Sequence, residues 1–401
     1  MSDQIVIIGG GQAGVQLADS LRREGHEGAI TLVGEETQAP YQRPPLSKAF
    51  LLDQLEESRL PLRPDAFYEQ RRITTRFGIR ADMINRENKT VALETGDKLP
   101  YDQLALCLGT QVRIPPIPGI DKPHVMALRT LDDSLRLKTA LRDARSVAVI
   151  GGGFIGLEVA ASARKLGCDV TIVEALDRVM KRAVSEPVSR FFEDLHRAQG
   201  STLLLESMTE EITDDGLRLA GNTIIPADLV VLGTGVTPCH ELALKAGLAC
   251  DNGIVVDSFG RTSDPDIVAI GDCASHPNHL TGERLRLESV QNAIDGAKAA
   301  ARNLTGNPTP YTAVPWFWSD QFDIKLQMAG LSHGTDTAVT RGDPDARSFS
   351  IFYFKLGRLM AVDSINAPAD HMAARRILAN DDRALKPQDA ADPAFDLKQA
   401  F

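Results

Sequence analysis

The feature that most constrains how this chain folds is a strand–turn–helix–strand unit written twice. Residues 5–35 read IVIIGGGQAGVQLADSLRREGHEGAITLVGE, and residues 146–174 read SVAVIGGGFIGLEVAASARKLGCDVTIVE. Each opens with a short apolar run suited to a buried parallel strand. Gly9, Gly11 and Gly14, then Gly151, Gly153 and Gly156, occupy the G-x-G-x-x-G positions at the start of the following helix. The first glycine permits the tight turn, the second lets a pyrophosphate approach the backbone, and the third allows helix to pack closely on strand. The phosphates then sit at the positive end of the helix. Each unit closes on an acid, Glu35 and Glu174, placed to accept hydrogen bonds from a ribose diol. A single glycine pattern is weak evidence, but two complete units specify two dinucleotide sites.

The repetition runs further. LPYDQLALCLGT at residues 99–110 is answered by IPADLVVLGT at residues 225–234, with Pro100 and Asp102 matching Pro226 and Asp228. Both end in a strand followed by Gly-Thr, where a chain leaves one nucleotide domain. The first crossing holds Pro115, Pro116 and Pro118 and reads as a stiff linker. Residues 254–273, IVVDSFGRTSDPDIVAIGDC, read as a pair of strands returning to the first domain. Residues 288–304 then show a helical apolar face from Ala293, Ile294, Ala297, Ala300, Ala301 and Leu304. From Tyr311 the composition changes to clustered aromatics and short strands at 348–354 and 359–362. The segment from Asn380 is polar and reads as a loosely attached tail. The expected architecture is α/β, with two Rossmann-like domains and a C-terminal α+β domain. The expected boundaries are 1–111 and 237–310 for one nucleotide domain, 112–236 for the other and 311–401 for the last.

Composition narrows the function. A formal charge of −10 disfavours nucleic acid as the principal partner. No apolar run reaches the ~20 residues of a membrane helix, and no secretory leader is read at the N-terminus, so a cytoplasmic protein is expected. The five cysteines, Cys107, Cys168, Cys239, Cys250 and Cys273, form no C-x-x-C pair, and read as small buried residues. His276 and His279 are the only closely spaced histidines and read as part of a solvated loop. No metal site is expected.

These residues carry a resemblance. With GGGQAG, PYQRPPLSK at residues 40–48, GGGFIGLE at 151–158, TSDPDIVAIGDC, ESVQNA at 288–293 and PWFWSDQ at 315–321, the chain resembles, over nearly its full length, the FAD-containing, NADH-dependent ferredoxin reductases of bacterial oxygenase systems. The resemblance implies a glutathione-reductase-like fold, in which an FAD domain is interrupted by an NADH domain and followed by a domain covering the flavin. It assigns Gly9, Gly11, Gly14, Glu35, Arg43, Lys48, Asp272, Val290 and Trp318 to FAD. It assigns Gly151, Gly153, Ile155, Gly156, Glu158, Glu174, Arg182 and Gly235 to NADH. Lys48, Glu158 and Trp318 form the implied catalytic set, with Lys48 near the flavin N5 and paired with Glu158.

Plainer readings stand beside these roles. Arg43 and Lys48 also suit a solvated basic loop, although Pro44 and Pro45 stiffen it as a cofactor contact would require. Asp272 also suits a helix N-cap, and Trp318 an ordinary core position. The ESVQNA residues begin a helix whose N–H groups, that of Val290 first among them, are suited to a flavin carbonyl. Glu174 favours NADH over NADPH because a carboxylate repels a 2′-phosphate, while Arg178 and Arg182 nearby leave some NADPH use open. By the same resemblance the expected acceptor is a [2Fe–2S] ferredoxin feeding a cytochrome P450 or dioxygenase. Arg63, Arg71, Arg72, Lys298, Arg302 and Lys325 are its candidate contacts, and the protein is expected as a monomer. The alternatives are a rubredoxin reductase and an NADH-responsive signalling flavoprotein. A disulfide or peroxide reductase would place a cysteine within residues 40–48, and none is there.

Overall fold

The computed structural model describes residues 4–380 and 385–400. The reading of no leader falls partly on residues 1–3, outside the described residues, as do residues 381–384 and 401 of the polar C-terminal segment. The chain forms two compact units. One contains the chain through Gln42, Pro61–Gln111 and Thr237–Phe317; the other contains Arg43–Leu60, Val112–Val236 and the chain from Trp318 onward.

The first unit is built on five parallel strands in the order Ile267–Ala269, Gln103–Leu106, Ile5–Ile8, Ile30–Gly34 and Ile73–Phe77. Ile5 and Ile7 face helices Gln12–Arg23 and Val290–Leu304. Val6 and Ile8 face the hairpin residues Ile84, Val91 and Leu93. Both faces are covered, so these strands are apolar throughout instead of alternating. Helix Gln12–Arg23 forms because Ala13, Leu17, Ala18 and Leu21 fall on one buried face. Arg22 and Arg23 complement the negative end of the helix dipole, and Gly25, at φ 86°, terminates the turn. Leu17 is fully buried, and truncating it to Ala would cost about 2–5 kcal/mol.

The second unit repeats this plan. Its parallel sheet has the order Thr202–Leu204, Asp169–Val173, Ser146–Ile150, Leu229–Leu232 and Val125–Ala127. A three-stranded antiparallel meander precedes the Leu229–Leu232 strand, as another precedes Gln103–Leu106 in the first unit. The Pro-x-Asp repeat has a structural reason. Asp102 accepts the Gln4 N–H at 2.7 Å, and Asp228 accepts those of Arg145 and Ser146 at 2.8 and 2.9 Å. Each carboxylate thus pins the start of the strand that leads into its unit's glycine loop. The Ser146 and Arg145 N–H groups hold the Asp228 carboxyl below its usual range.

Beyond this sheet the second unit carries a five-stranded sheet in the order Trp316–Gln321, Ile324–Gly330, Arg358–Ile365, Ser348–Lys355 and Thr337–Asp343. Helix Pro368–Ala379 packs on it. Several expectations are corrected here. The helix expected from residue 288 begins at Val290, because the Ser289 hydroxyl caps it by accepting the Asn292 N–H. Residues 254–273 hold the two expected strands, in different sheets: Ile267–Ala269 joins the parallel sheet, whereas Ile254–Val255 pairs with Ala274–Pro277. His276 lies buried on that last strand, and not in a solvated loop. The tail, where described, is packed down. Leu385, Ala390, Leu397 and Ala400 are buried, and Arg341 donates to the carbonyls of Asp392, Pro393 and Phe395. Its few apolar residues are too widely spaced to register against a polar average. Among the described residues no helix is long and apolar enough to cross a membrane.

Candidate functional site

In the first unit the glycine loop leaves the C-terminal end of Ile5–Ile8, where ligands of parallel α/β sheets bind. The three glycines differ physically. A Cβ on Gly9 would lie 2.1 Å from the Cys107 carbonyl oxygen, and one on Gly14 would lie 2.1 Å from the Gly9 carbonyl oxygen. A Cβ on Gly11 would meet nothing within 4 Å. The outer two are therefore required by close packing, while the middle one opens onto free space in front of the helix N-terminus. Glu35 is exposed at the end of the neighbouring strand. Asp272 lies in the turn Gly271–Cys273, half-buried. Gly271 ties it to the loop, since a Cβ there would lie 3.2 Å from Ala13 and 3.8 Å from Ala293. Val290, the first residue of its helix, is half-buried. The predicted residues of this unit therefore gather along one sheet edge.

The second unit repeats the cradle. A Cβ on Gly151 would stand 2.4 Å from the Gly233 carbonyl oxygen and one on Gly156 2.3 Å from that of Gly151, but one on Gly153 has no neighbour nearer than 3.7 Å. Gly235, at φ 85°, is also open, and Ile155 is 45% exposed at the head of the helix. Glu174 accepts the Gly152 N–H at 2.7 Å and the Leu176 N–H at 2.8 Å, so both its oxygens are oriented by backbone. Arg178 is committed elsewhere: its guanidinium donates to the Val184 carbonyl at 2.8 Å and to the Ser189 hydroxyl at 2.6 Å. Arg182 is exposed and has no partner among the described residues.

The same unit holds the PYQRPPLSK loop from Arg43 onward. Pro44–Ser47 forms a short 3₁₀ turn, stapled by the Ser134 hydroxyl to the Leu46 carbonyl and by the Ser162 hydroxyl to the Ser47 carbonyl, both at 2.8 Å. Arg43 donates to the Arg129 carbonyl at 2.7 Å. Lys48 Nζ lies 2.7 Å from Glu158 Oε2, and Glu158 is 2% exposed. Glu158 also accepts the hydroxyls of Ser47 at 2.5 Å and Ser319 at 2.7 Å. Ser319 stands on the strand Trp316–Gln321, where side chains alternate between faces. Trp318 therefore points away from Glu158 and is half-buried.

Ser47 and Ser319 escape sequence reading, because a single hydroxyl carries no periodicity. Both nevertheless lie inside motifs that carried the resemblance. Burial pushes the Cys107 thiol well above its usual range and that of Cys273 up to about 11, and raises those of Cys168 and Cys250. All five cysteines are free, and no cluster of three or more His, Cys, Asp or Glu side chains suits a metal among the described residues. Burial holds His276 below its usual value, and its ring meets Tyr311 edge-on. Every one of the six candidate ferredoxin contacts has a carboxylate neighbour. Arg63 and Arg71 approach Asp19, Arg72 pairs with Glu27, Arg302 with Glu24, Lys298 with Asp295 and Lys325 with Asp320.

Comparison with known proteins accords with this geometry. Residues 3–297 match the family described as pyridine nucleotide-disulphide oxidoreductase, and residues 316–401 match a reductase C-terminal domain. The chain is 49% identical to rhodocoxin reductase of Rhodococcus erythropolis, covering 99% of this chain and 94% of the relative. It superposes on the ferredoxin reductase for the CYP199A2 system of Rhodopseudomonas palustris with a TM-score of 0.97 and 43% identity, over 99% of both chains. It also superposes on the reductase in the covalent putidaredoxin reductase–putidaredoxin complex with a TM-score of 0.95 and 39% identity, over 99% of this chain and 98% of that one.

Proposed function

This chain belongs to the pyridine nucleotide-disulphide oxidoreductase family, and from that premise we propose that it is an FAD-dependent NADH:ferredoxin reductase. It delivers electrons one at a time to a [2Fe–2S] ferredoxin that supplies a cytochrome P450 or a ring-hydroxylating dioxygenase. The observation that carries this reading is a pair of glycine cradles, each open only at its middle glycine, in a chain whose buried Cys107 and Cys273 are held protonated. Two dinucleotides fit that pair, and thiol chemistry does not.

Bound FAD supplies the redox chemistry, since a flavin accepts electrons in pairs and returns them singly. The chain's own residues supply binding and electrostatics. The Gly11 loop and the helix N-terminus behind it hold the FAD pyrophosphate, Glu35 its ribose and Asp272 its ribityl chain. The N–H groups at Val290 stabilise negative charge on the ring carbonyl. In the second unit the Gly153 loop holds the NADH pyrophosphate, with Ile155, Arg182 and Gly235 around the open space. Lys48, anchored by Glu158, would supply a positive charge that favours electron-rich flavin, with Arg43 steadying the same loop and Trp318 as the aromatic residue that would shield the ring. Glu174 selects NADH, because it sets a carboxylate where NADPH carries a phosphate. Arg178, already bonded to Val184 and Ser189, is not available to counter it.

Arg63, Arg71, Arg72, Lys298, Arg302 and Lys325 are the proposed ferredoxin contacts. Their carboxylate neighbours reduce this charge without cancelling it: Arg23, Arg63 and Arg71 share the single carboxylate of Asp19. Free thiols throughout suit a cytoplasmic location. The test is ferredoxin-dependent reduction of cytochrome c by the purified yellow protein. NADH should sustain it and NADPH poorly, and neither peroxide nor a disulfide should substitute for ferredoxin. Turnover on a disulfide without ferredoxin would overturn the reading.

A further inference from the structure

The two halves of the chain provide an internal control for Glu158. Gly9, Gly11, Gly14 and Gln16 of the first helix correspond to Gly151, Gly153, Gly156 and Glu158 of the second. Gln16 is also buried, but it is neutral, and its amide donates to Ser20 one turn further along at 3.0 Å. The same helix position therefore folds around an uncharged amide. Nothing in the strand–turn–helix plan demands a carboxylate at 158, and a buried carboxylate is unfavourable unless its lone pairs are answered.

Three donors answer them. Ser47 Oγ and Lys48 Nζ reach Oε2, and Ser319 Oγ reaches Oε1. The Ser319 hydroxyl is itself oriented, because it accepts the Gln321 amide at 3.2 Å and so turns its proton toward Glu158. The Gln321 oxygen is held in turn by His196 Nε2 at 2.9 Å, and burial keeps that imidazole neutral by lowering its pKa. On the other side, the Ser162 hydroxyl fixes the Ser47 carbonyl. Ser162 is the counterpart of Ser20, so the second helix has redirected the hydroxyl that its twin spends on Gln16.

We propose that Ser47 and Ser319 are positioning residues: each holds one oxygen of Glu158, so that the carboxylate anchors Lys48 in one place. This deepens the reductase reading and rests on it, since Lys48 matters only if it faces the flavin. Losing the Ser319 hydroxyl leaves Oε1 unanswered, and losing that of Ser47 leaves Oε2 to Lys48 alone. The carboxylate turns toward its remaining donors, Lys48 moves with it, and the local potential becomes more negative.

The experiment uses FAD-loaded full-length Ser47→Ala, Ser319→Ala and Ser319→Thr proteins in anaerobic stopped-flow and in redox titration of the flavin. Loss of either hydroxyl should slow the limiting rate of flavin reduction by NADH about tenfold, as expected for one charge-assisted hydrogen bond, and leave the NADH dissociation constant within about twofold. The flavin midpoint potential should move to more negative values. Ser319→Thr, which keeps the hydroxyl, should restore both. An unchanged rate and potential in both alanine variants would overturn the proposal. So would equal impairment of Ser319→Ala and Ser319→Thr, which marks a packing role. Failure of the reductase reading looks different, because the unsubstituted protein itself would not be reduced by NADH.

Discussion

Replacing Gly11 by alanine separates cofactor binding from folding. Gly11 has φ −94°, open to any residue, and its added Cβ meets nothing within 4 Å. On folding alone the change is neutral to favourable, by up to about 1 kcal/mol through a stiffer unfolded chain. Gly14 is the opposite case, since its Cβ would lie 2.1 Å from the Gly9 carbonyl oxygen. That overlap forces the backbone apart and costs about 1–3 kcal/mol or more. The methyl group of Gly11→Ala instead fills the space where the pyrophosphate reaches the loop. One lost hydrogen bond to a charged phosphate is worth about 1.5–3 kcal/mol, so the FAD dissociation constant should rise about 10- to 150-fold. Titrating the apoproteins with FAD by fluorescence quenching, alongside thermal melts, reads both quantities. Gly11→Ala should melt like the unsubstituted apoprotein and bind FAD weakly, and Gly14→Ala should melt lower. Gly153→Ala should retain FAD and lose affinity for NADH. Undiminished FAD binding by Gly11→Ala, or a melt matching that of Gly14→Ala, would refute the cradle.

Three further outcomes are expected. Asp363 is buried with the Tyr353 hydroxyl donating to it at 2.7 Å, and burial pushes its carboxyl up to about 7. The folded carboxyl then keeps its proton after the unfolded one has ionised, so stability falls as pH rises from about 4 to about 7, by at most about 4 kcal/mol. Asp363→Asn, neutral throughout, should therefore melt above the unsubstituted protein at about pH 8 and level with it only at about pH 3, below the unfolded carboxyl's range; parallel melting curves from about pH 3 to about pH 8 would remove Asp363 as the cause. Glu174→Ala should raise the NADPH-to-NADH ratio of kcat/KM about tenfold or more by removing a like-charge repulsion. Arg178→Ala should leave that ratio alone and lower Tm, and a fall in NADPH use would show that Arg178 binds the phosphate. Lys298→Glu should raise the KM for ferredoxin without changing flavin reduction by NADH, and an unchanged KM would take Lys298 out of the contact set.

The parts of this fold that are legible in sequence are those written within some thirty residues. Gly9, Gly11 and Gly14 declare their turn and helix locally, with Glu35 as the proposed ribose acid, and Gly151, Gly153, Gly156 and Glu174 repeat the pattern. The packed tail is less visible, because Leu385, Ala390, Leu397 and Ala400 form no periodic face, and the tail packs partly on strands Thr337–Asp343 and Ser348–Lys355 and partly on helix Pro368–Ala379. The pairing of Lys48 with Glu158 joins residues 110 positions apart and is implied by resemblance alone. The hydroxyls of Ser47 and Ser319 are beyond even that, since what singles them out is aim rather than residue type. Yet one signal was present in the sequence: where the repeat exchanges Gln16 for Glu158, a buried neutral position becomes a buried charge that needs a reason.

What defines a ferredoxin reductase is where its electrons go. The measurement is anaerobic stopped-flow, in which the flavoprotein reduced by one equivalent of NADH is mixed with an oxidised [2Fe–2S] ferredoxin and, separately, with rubredoxin. Flavin reoxidation by the ferredoxin is expected within the turnover time, in two one-electron phases, with much slower reoxidation by rubredoxin. A protein that accepts hydride rapidly from NADH and then stays reduced in the presence of either carrier would contradict that expectation.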